Sequence, residues 1–239
     1  MIKITSTLKS VDIHALLTRD SQFSLYEKEI LAASSHALIY QAGSRVSLQA
    51  QTAGLQIYWL AQGSLLLEEP CRNGSTYYTY LKAGMYFPAD LELTRQETLV
   101  SSLHFCEDSV VLAIPFKCFE DLKVRSKHFF NVVHASMLEK YLLQKQIQEQ
   151  CTAGQITERL QNILIFFGQE CGEQLSSGDV KLPSVLTYDT IASFAHTSVQ
   201  TVGQKVKQFR QGGILSDQSR KLIISRTIFE QGLSYKTAL

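Results

Sequence analysis

Between Val199 and Gln211 the apolar residues Val202, Val206 and Phe209 recur at steps of four and three, which sets them on one face of a helix. Gln200, Gln204, Lys207 and Gln211 recur at four, three and four on another face. Thr197 and Ser198 supply an N-cap, and Gly212-Gly213 a stop. Upstream, Ile191, Ala192, Phe194 and Ala195 form the apolar side of a shorter helix with Thr187 as its cap. Only a turn-sized gap, His196 to Ser198, separates the two. By spacing alone this fits a helix-turn-helix and an ordinary helical hairpin equally well. The stretch "ILSDQSRKLIIS" then reads as two short strands around a polar turn containing Arg220 and Lys221, which makes a winged helix-turn-helix.

Other periods govern the rest of the chain. Glycines at 43, 54, 63, 74 and 84 punctuate short β-type runs such as "LQIYWLAQGSLLLEE" and "STYYTYLKAG", and "LVSSLHFCEDSVVLAIP" adds at least two strands. Regular turn signals between alternating strands predict an antiparallel barrel or sandwich. Pro115 marks a change of regime, and from about Ser126 to Cys151 the chain has no Gly or Pro. Phe130, Val133, Met137 and Tyr141 make one helical stripe there, and Val132, Ala135, Leu138 and Leu142 a second. A helix apolar on two faces is buried on both, one against the β domain. The other is covered by the same helix of a second subunit or by this chain itself. After Ala153-Gly154, "QITERLQNILIFFGQECG" predicts another amphipathic helix, and "EQLSSGDVKLPSV" reads as a linker.

Residue types separate the hairpin from the DNA-binding reading. A surface helix without a partner usually mixes charges of both signs. From Ser198 to Gln211 there is no acidic residue. Gln can pair bidentately with adenine, while Lys and Arg neutralise phosphates. Charge distribution agrees: residues 182–239 carry seven Lys or Arg against three acidic residues, a net +4, and the remainder 16 against 19, a net −3. The C-terminal part therefore suits a polyanion.

Composition bounds the remaining choices. Of 239 residues, 45% are apolar, enough for real cores, and no run of 18 apolar residues or cleavable leader is seen. A soluble, cytoplasmic protein without membrane contact is expected. Cys71, Cys106, Cys118, Cys151 and Cys171 make no CxxC pair and read as buried, reduced thiols. The histidines show no HxH or HExxH spacing, and no paired acid and base or nucleophile motif is present. Neither metal, cofactor nor enzymatic activity is expected.

"YQAGSRVSLQAQTAGLQIYWLAQGSLLL" and "LTYDTIASFAHTSVQTVGQKVKQFRQGGIL", the latter through Ser198, Thr201, Val202 and Gly203, resemble the opening roll and DNA-binding segment of the Crp/Fnr family. The resemblance runs from about residue 36 to 226. It implies an α+β chain of two domains with a long helix between them. Residues 1–125 would form an antiparallel β-roll (a jelly roll like those that bind cyclic nucleotides), 126–151 a long dimerisation helix and 152–239 a winged helix-turn-helix domain. The family's phosphate cassette, a Gly-Glu pair and an Arg-Ser or Arg-Thr pair, falls here on Pro88-Ala89 and near Leu99-Val100, with Arg95 the only nearby basic substitute. Leu and Val cannot bind a cyclic phosphate and Pro88 withdraws a backbone donor, so control by cyclic AMP through that cassette is not expected. The clustered N-terminal cysteines of members resembling Fnr have no counterpart before Cys71. In the recognition helix, Val199-Gln200 and Gln204 stand where well-known members show Arg-Glu and a later Arg, which favours an A/T-richer half-site or low specificity. The turn glycine of many members is His196, a residue that tolerates a left-handed backbone.

The function expected is a homodimeric transcription regulator on two-fold double-stranded DNA, with RNA polymerase a further partner that such a role allows. Ser198, Val199, Gln200, Thr201, Gln204, Lys205, Lys207, Arg210, Arg220 and Lys221 are the candidate DNA-binding residues. Gln200 and Gln204 would read base edges, Val199 a thymine methyl, and Lys205, Lys207, Arg210, Arg220 and Lys221 would meet phosphates. Two alternatives stand beside it. One is a sensor of another small molecule in an apolar pocket of the roll beside the long helix. The other is a protein-interaction module with a degenerate DNA face.

Overall fold

The computed structural model describes residues 12–19, 21–48, 56–71, 76–87, 101–218 and 221–230. Its N-terminal part is built on two four-stranded antiparallel sheets. The first has the order β1 (His36–Tyr40), β8 (Ser109–Pro115), β3 (Gln56–Gln62), β6 (Tyr86–Phe87). The second has the order β2 (Arg45–Leu48), β7 (Ser101–Phe105), β4 (Ser64–Pro70), β5 (Thr76–Lys82). Alternation along β3 explains the layering. Tyr58 stacks on Phe87 with ring centroids 5.5 Å apart, inside the roll, while Trp59 lies on the opposite face, edge-on to Phe23 at 5.0 Å.

That outer face of the first sheet is covered by helices that the sequence pattern does not predict: α1 (Ile13–Arg19), α2 (Leu25–Ser34) and α3 (Phe116–Arg125). With Trp59, Leu112 and Ile114 they enclose a core that includes Leu17, Phe23, Leu31, Phe119 and Phe129. Ser24 and Glu27 form a capping box at the start of α2, a Ser-x-x-Glu signal that is legible in the sequence.

Glu27 also does something else. Its carboxylate is fully buried and accepts hydrogen bonds from Ser126 Oγ at 2.5 Å and Ser24 N at 2.7 Å, with His128 Nδ1 at 3.0 Å. Burial pushes the carboxyl up, but bonds from Ser126, Ser24 and His128 outweigh it and hold it below its ordinary value of 4.5. Its contribution is therefore complete above 4.5 and disappears as pH falls through the lower folded value. Glu27→Gln should cost about 2 kcal/mol at neutral pH and flatten the acid limb of stability. Urea titrations between about pH 3 and 7 check this; an unchanged acid limb would contradict it.

The long helix is α4 (Lys127–Thr152), capped by Ser126. Its buried line is Phe129, Val133, Ser136, Leu143, Ile147 and Cys151, which the two expected stripes share only at Val133. Of the eight residues in them, Phe130, Ala135, Met137, Leu138, Tyr141 and Leu142 are exposed. The recurrence itself is real. Neighbouring Phe129 and Phe130, however, differ by about 100° on a helix, and it is Phe129 that points inward. Ala153 caps the helix and Gly154, at φ +77°, turns the chain into α5 (Ile156–Cys171).

A second correction concerns "EQLSSGDVKLPSV", which is not a linker. It contributes β9 (Glu173–Gln174) and β10 (Val180–Lys181), which join β11 (Leu215–Gln218) and β12 (Lys221–Ile224) in a sheet of order β11-β12-β10-β9. Two-residue strands leave too few positions for an alternation to register. The five cysteines are free thiols, but only Cys106 and Cys151 are buried; Cys71, Cys118 and Cys171 are half-buried. Among the described residues no helix is long and apolar enough to cross a membrane.

Burial along β4 and β5 breaks the two-residue period. Leu65, Leu66 and Leu67 are all buried, as are Tyr78, Thr79, Tyr80 and Leu81. Both faces of these strands are covered. The inner one faces the first sheet; the outer one meets α6 (Tyr188–Phe194) and, through Tyr80, the aromatic rings of α5. Leu66 is paired with Tyr80 and His104, and Tyr80 lies edge-on to Phe166 and Phe167 at 5.7 and 5.6 Å. Roll and C-terminal part thus share one hydrophobic core.

Candidate nucleic-acid interface

Two short-range devices set the helix pair. Thr187 Oγ1 accepts from Thr190 N at 3.3 Å at the start of α6, and Ser198 Oγ from Thr201 N at 3.1 Å at the start of α7 (Val199–Gln211). Between them His196 has φ +47°, the left-handed conformation expected of it. Arg159 Nη1 of α5 donates to the Ala195 carbonyl at 3.1 Å and ties this turn to the body of the molecule. A β-branched residue cannot adopt that backbone cheaply. We expect His196→Val to cost about 1–2 kcal/mol and His196→Gly to be neutral or stabilising by up to about 1 kcal/mol. Urea denaturation of both variants checks the order.

α7 lies on the core through Val202, Val206 and Phe209. The opposite face presents Gln200, Gln204, Lys207, Gln208 and Gln211, all exposed. Ser198 and Val199 are exposed at the leading end, with Thr201 half-buried beside them. Lys205, half-buried, flanks the face on one side, and Arg210 flanks it on the other. Arg210 Nη2 donates to the Tyr188 hydroxyl at 3.2 Å. Arg210, Tyr188, Ser184, Thr187 and Lys221 line one cleft of about 350 Å³ between α7 and the sheet.

The structure therefore brings together nine of the ten expected site residues at one surface: those of α7 with its Ser198 cap, and Lys221. Arg220 lies outside the described residues, as do Pro88, Ala89, Arg95, Leu99 and Val100. Gln208 completes the outward face but is absent from the candidate set, although its three-residue step from Lys205 and four from Gln204 are legible. Tyr188 and Ser184 leave no signal in the sequence because only the fold carries them to Arg210. The cleft is not the apolar pocket expected beside the long helix. It lies at the basic flank of α7.

No family model and no curated protein matches the sequence. Solved structures do match the fold. A CRP-family transcriptional regulator from Thermus thermophilus aligns at a TM-score of 0.64 and 13% identity, over 82% of this chain and 96% of that one. The c-di-GMP responsive global regulator CLP of Xanthomonas campestris gives 0.64 and 14%, over 84% and 99%. A mutant of CooA from Carboxydothermus hydrogenoformans gives 0.58 and 17%, over 92% and 93%. The molecule has the two-domain fold of Crp/Fnr regulators, a β-roll followed by a winged helix-turn-helix, in a divergent sequence.

Proposed function

We propose that this chain is a transcription regulator of the Crp/Fnr type that binds double-stranded DNA as a homodimer in the cytoplasm. The observation that carries the reading is the outward face of α7, four glutamines and a lysine with no acidic residue in the helix, capped at its leading end and flanked by Lys205 and Arg210. A helix of this kind offers bidentate donors and acceptors to base edges and cations to the backbone. The Arg210–Lys221 cleft suits a phosphate beside the groove. Similar solved structures named as transcription regulators support the same reading.

In-vitro selection of random duplex DNA by the purified protein, at two salt concentrations, tests it. A two-fold A/T-rich motif is expected; no retained DNA at low salt would overturn the proposal. On the selected site, Gln204→Ala should weaken binding about 5–100-fold per half-site, the square of that for the dimer, and relax the preference at one position of each half-site. Lys207→Ala should weaken all sequences alike and reduce the salt slope by about 2 per dimer, one contact from each subunit. Fluorescence anisotropy against salt separates the two effects.

A further inference from the structure

The cleft between α7 and the C-terminal sheet offers more than a contact point for one phosphate. Arg210 and Lys221 stand at it with the Ser184 and Tyr188 hydroxyls, and no carboxylate lines it among the described residues. Tyr188 positions one of the cations: its oxygen accepts from Arg210 Nη2 at 3.2 Å and keeps its own proton to donate. Lys221 is half-buried, and Glu173, the carboxylate that feels it, is ion-paired with Lys181 of β10. The rest of the lining is apolar. Leu186 and Leu222, only 5% and 9% exposed, lie there with the ring of Tyr188, which packs on the core. Ser184 also abuts the roll: a Cβ on Gly43, in the turn between β1 and β2, would lie 2.8 Å from Ser184 Oγ.

We propose that this cleft binds a small phosphate monoester with a planar apolar body, and that the occupant competes with DNA for Arg210 and Lys221. A basic rim alone would serve DNA just as well. Size and lining favour a ligand that enters. The volume, about 350 Å³, lies in the range of small-molecule sites. A backbone phosphodiester is tethered on both sides, so it meets the two cations at the rim and leaves Leu186 and Leu222 uncovered. A free monoester carries a further negative charge and has only one substituent. Its phosphoryl oxygens accept from Arg210, Lys221 and the two hydroxyls, while its body lies on the leucines and the Tyr188 ring. The competition rests on the proposed function; the binding does not.

Isothermal titration calorimetry of the full-length protein, free of DNA, tests the site with phenyl phosphate as the probe and with inorganic phosphate and phenol as its two halves. We expect one phenyl phosphate per chain, bound at least about 10-fold more tightly than inorganic phosphate, and no heat of binding from phenol. Lys221→Ala and Arg210→Ala should each weaken it about 10-fold or more, and Tyr188→Phe about 3–10-fold. Arg226→Ala removes an equal charge outside the cleft and should leave the affinity unchanged. No binding, equal affinity for phenyl phosphate and inorganic phosphate, or an affinity that Lys221→Ala does not alter would each overturn the site.

Fluorescence anisotropy on selected duplex DNA, at matched ionic strength, tests the competition. Saturating phenyl phosphate should weaken DNA binding at least about 10-fold; an unchanged DNA affinity would overturn that half of the proposal. If the protein held no DNA with or without the probe, the proposed function would fail, while calorimetry would still decide the cleft.

Discussion

Tyr80→Ala is expected to cost the folded chain about 3–5 kcal/mol and to lower its thermal midpoint by roughly 10 °C. The size follows from where the ring sits. Tyr80 is buried on the outer face of β5, between Leu66 across the strand and the edges of Phe166 and Phe167. Tyr78, two residues back on the same face, lies 6.4 Å from Phe194, and Ser193 Oγ donates to the Thr76 carbonyl at 3.1 Å. Truncating Tyr80 therefore opens a cavity in the seam, where α5 and the sheet cannot both relax into it. Burial also pushes the phenol up; Tyr80→Phe keeps the ring packing and should cost no more than about 1 kcal/mol. Urea denaturation followed by tyrosine and tryptophan signals measures both. A loss under about 1 kcal/mol for the alanine variant would mean that the C-terminal part does not rest on the roll in solution.

The same seam explains what the sequence could and could not disclose. The helix-turn-helix is legible because each of its devices is local: Thr187 and Ser198 as caps, Val202, Val206 and Phe209 as the inward face, His196 in the left-handed turn. Strand positions are legible through glycine spacing. Burial of Leu65, Leu66 and Leu67 in succession is not, since it depends on helices of the C-terminal part closing over the outside of this sheet, as Phe166 and Phe167 of α5 do against Tyr80. β9 and β10 escape for a similar reason. Their pairing with each other and with β12 at Ile223 and Ile224 is a tertiary fact, and polar "EQLSSGD" alone reads as loop. Arg210 and Lys221 are each visible as basic residues, but their shared cleft with Tyr188 requires the fold.

Met137→Glu combined with Tyr141→Glu should convert the proposed homodimer into a monomer, raising its dissociation constant at least about 100-fold, which is about 3 kcal/mol. Phe130, Met137 and Tyr141 recur at seven and four, the spacing of a seam between paired helices, and Leu138 and Leu142 widen it. All five are exposed, Leu138 by 50% and Tyr141 by 63%, on the side of α4 turned away from Phe129, Val133 and Ile147. A contiguous apolar strip of this kind on a helix whose other side is already packed is the natural place for a second copy. On a two-fold axis each new carboxylate would face a like charge as well as lose apolar contact. Within a single chain both residues project into solvent, so the double variant should keep the monomer's urea stability to within about 1 kcal/mol. That contrast separates a broken interface from a broken fold. Sedimentation equilibrium reads the mass, and unaltered dimerisation would show that the strip is not the interface. DNA affinity should fall with the dimer by about 100-fold, because each subunit then engages only one half-site and the second contact is no longer intramolecular.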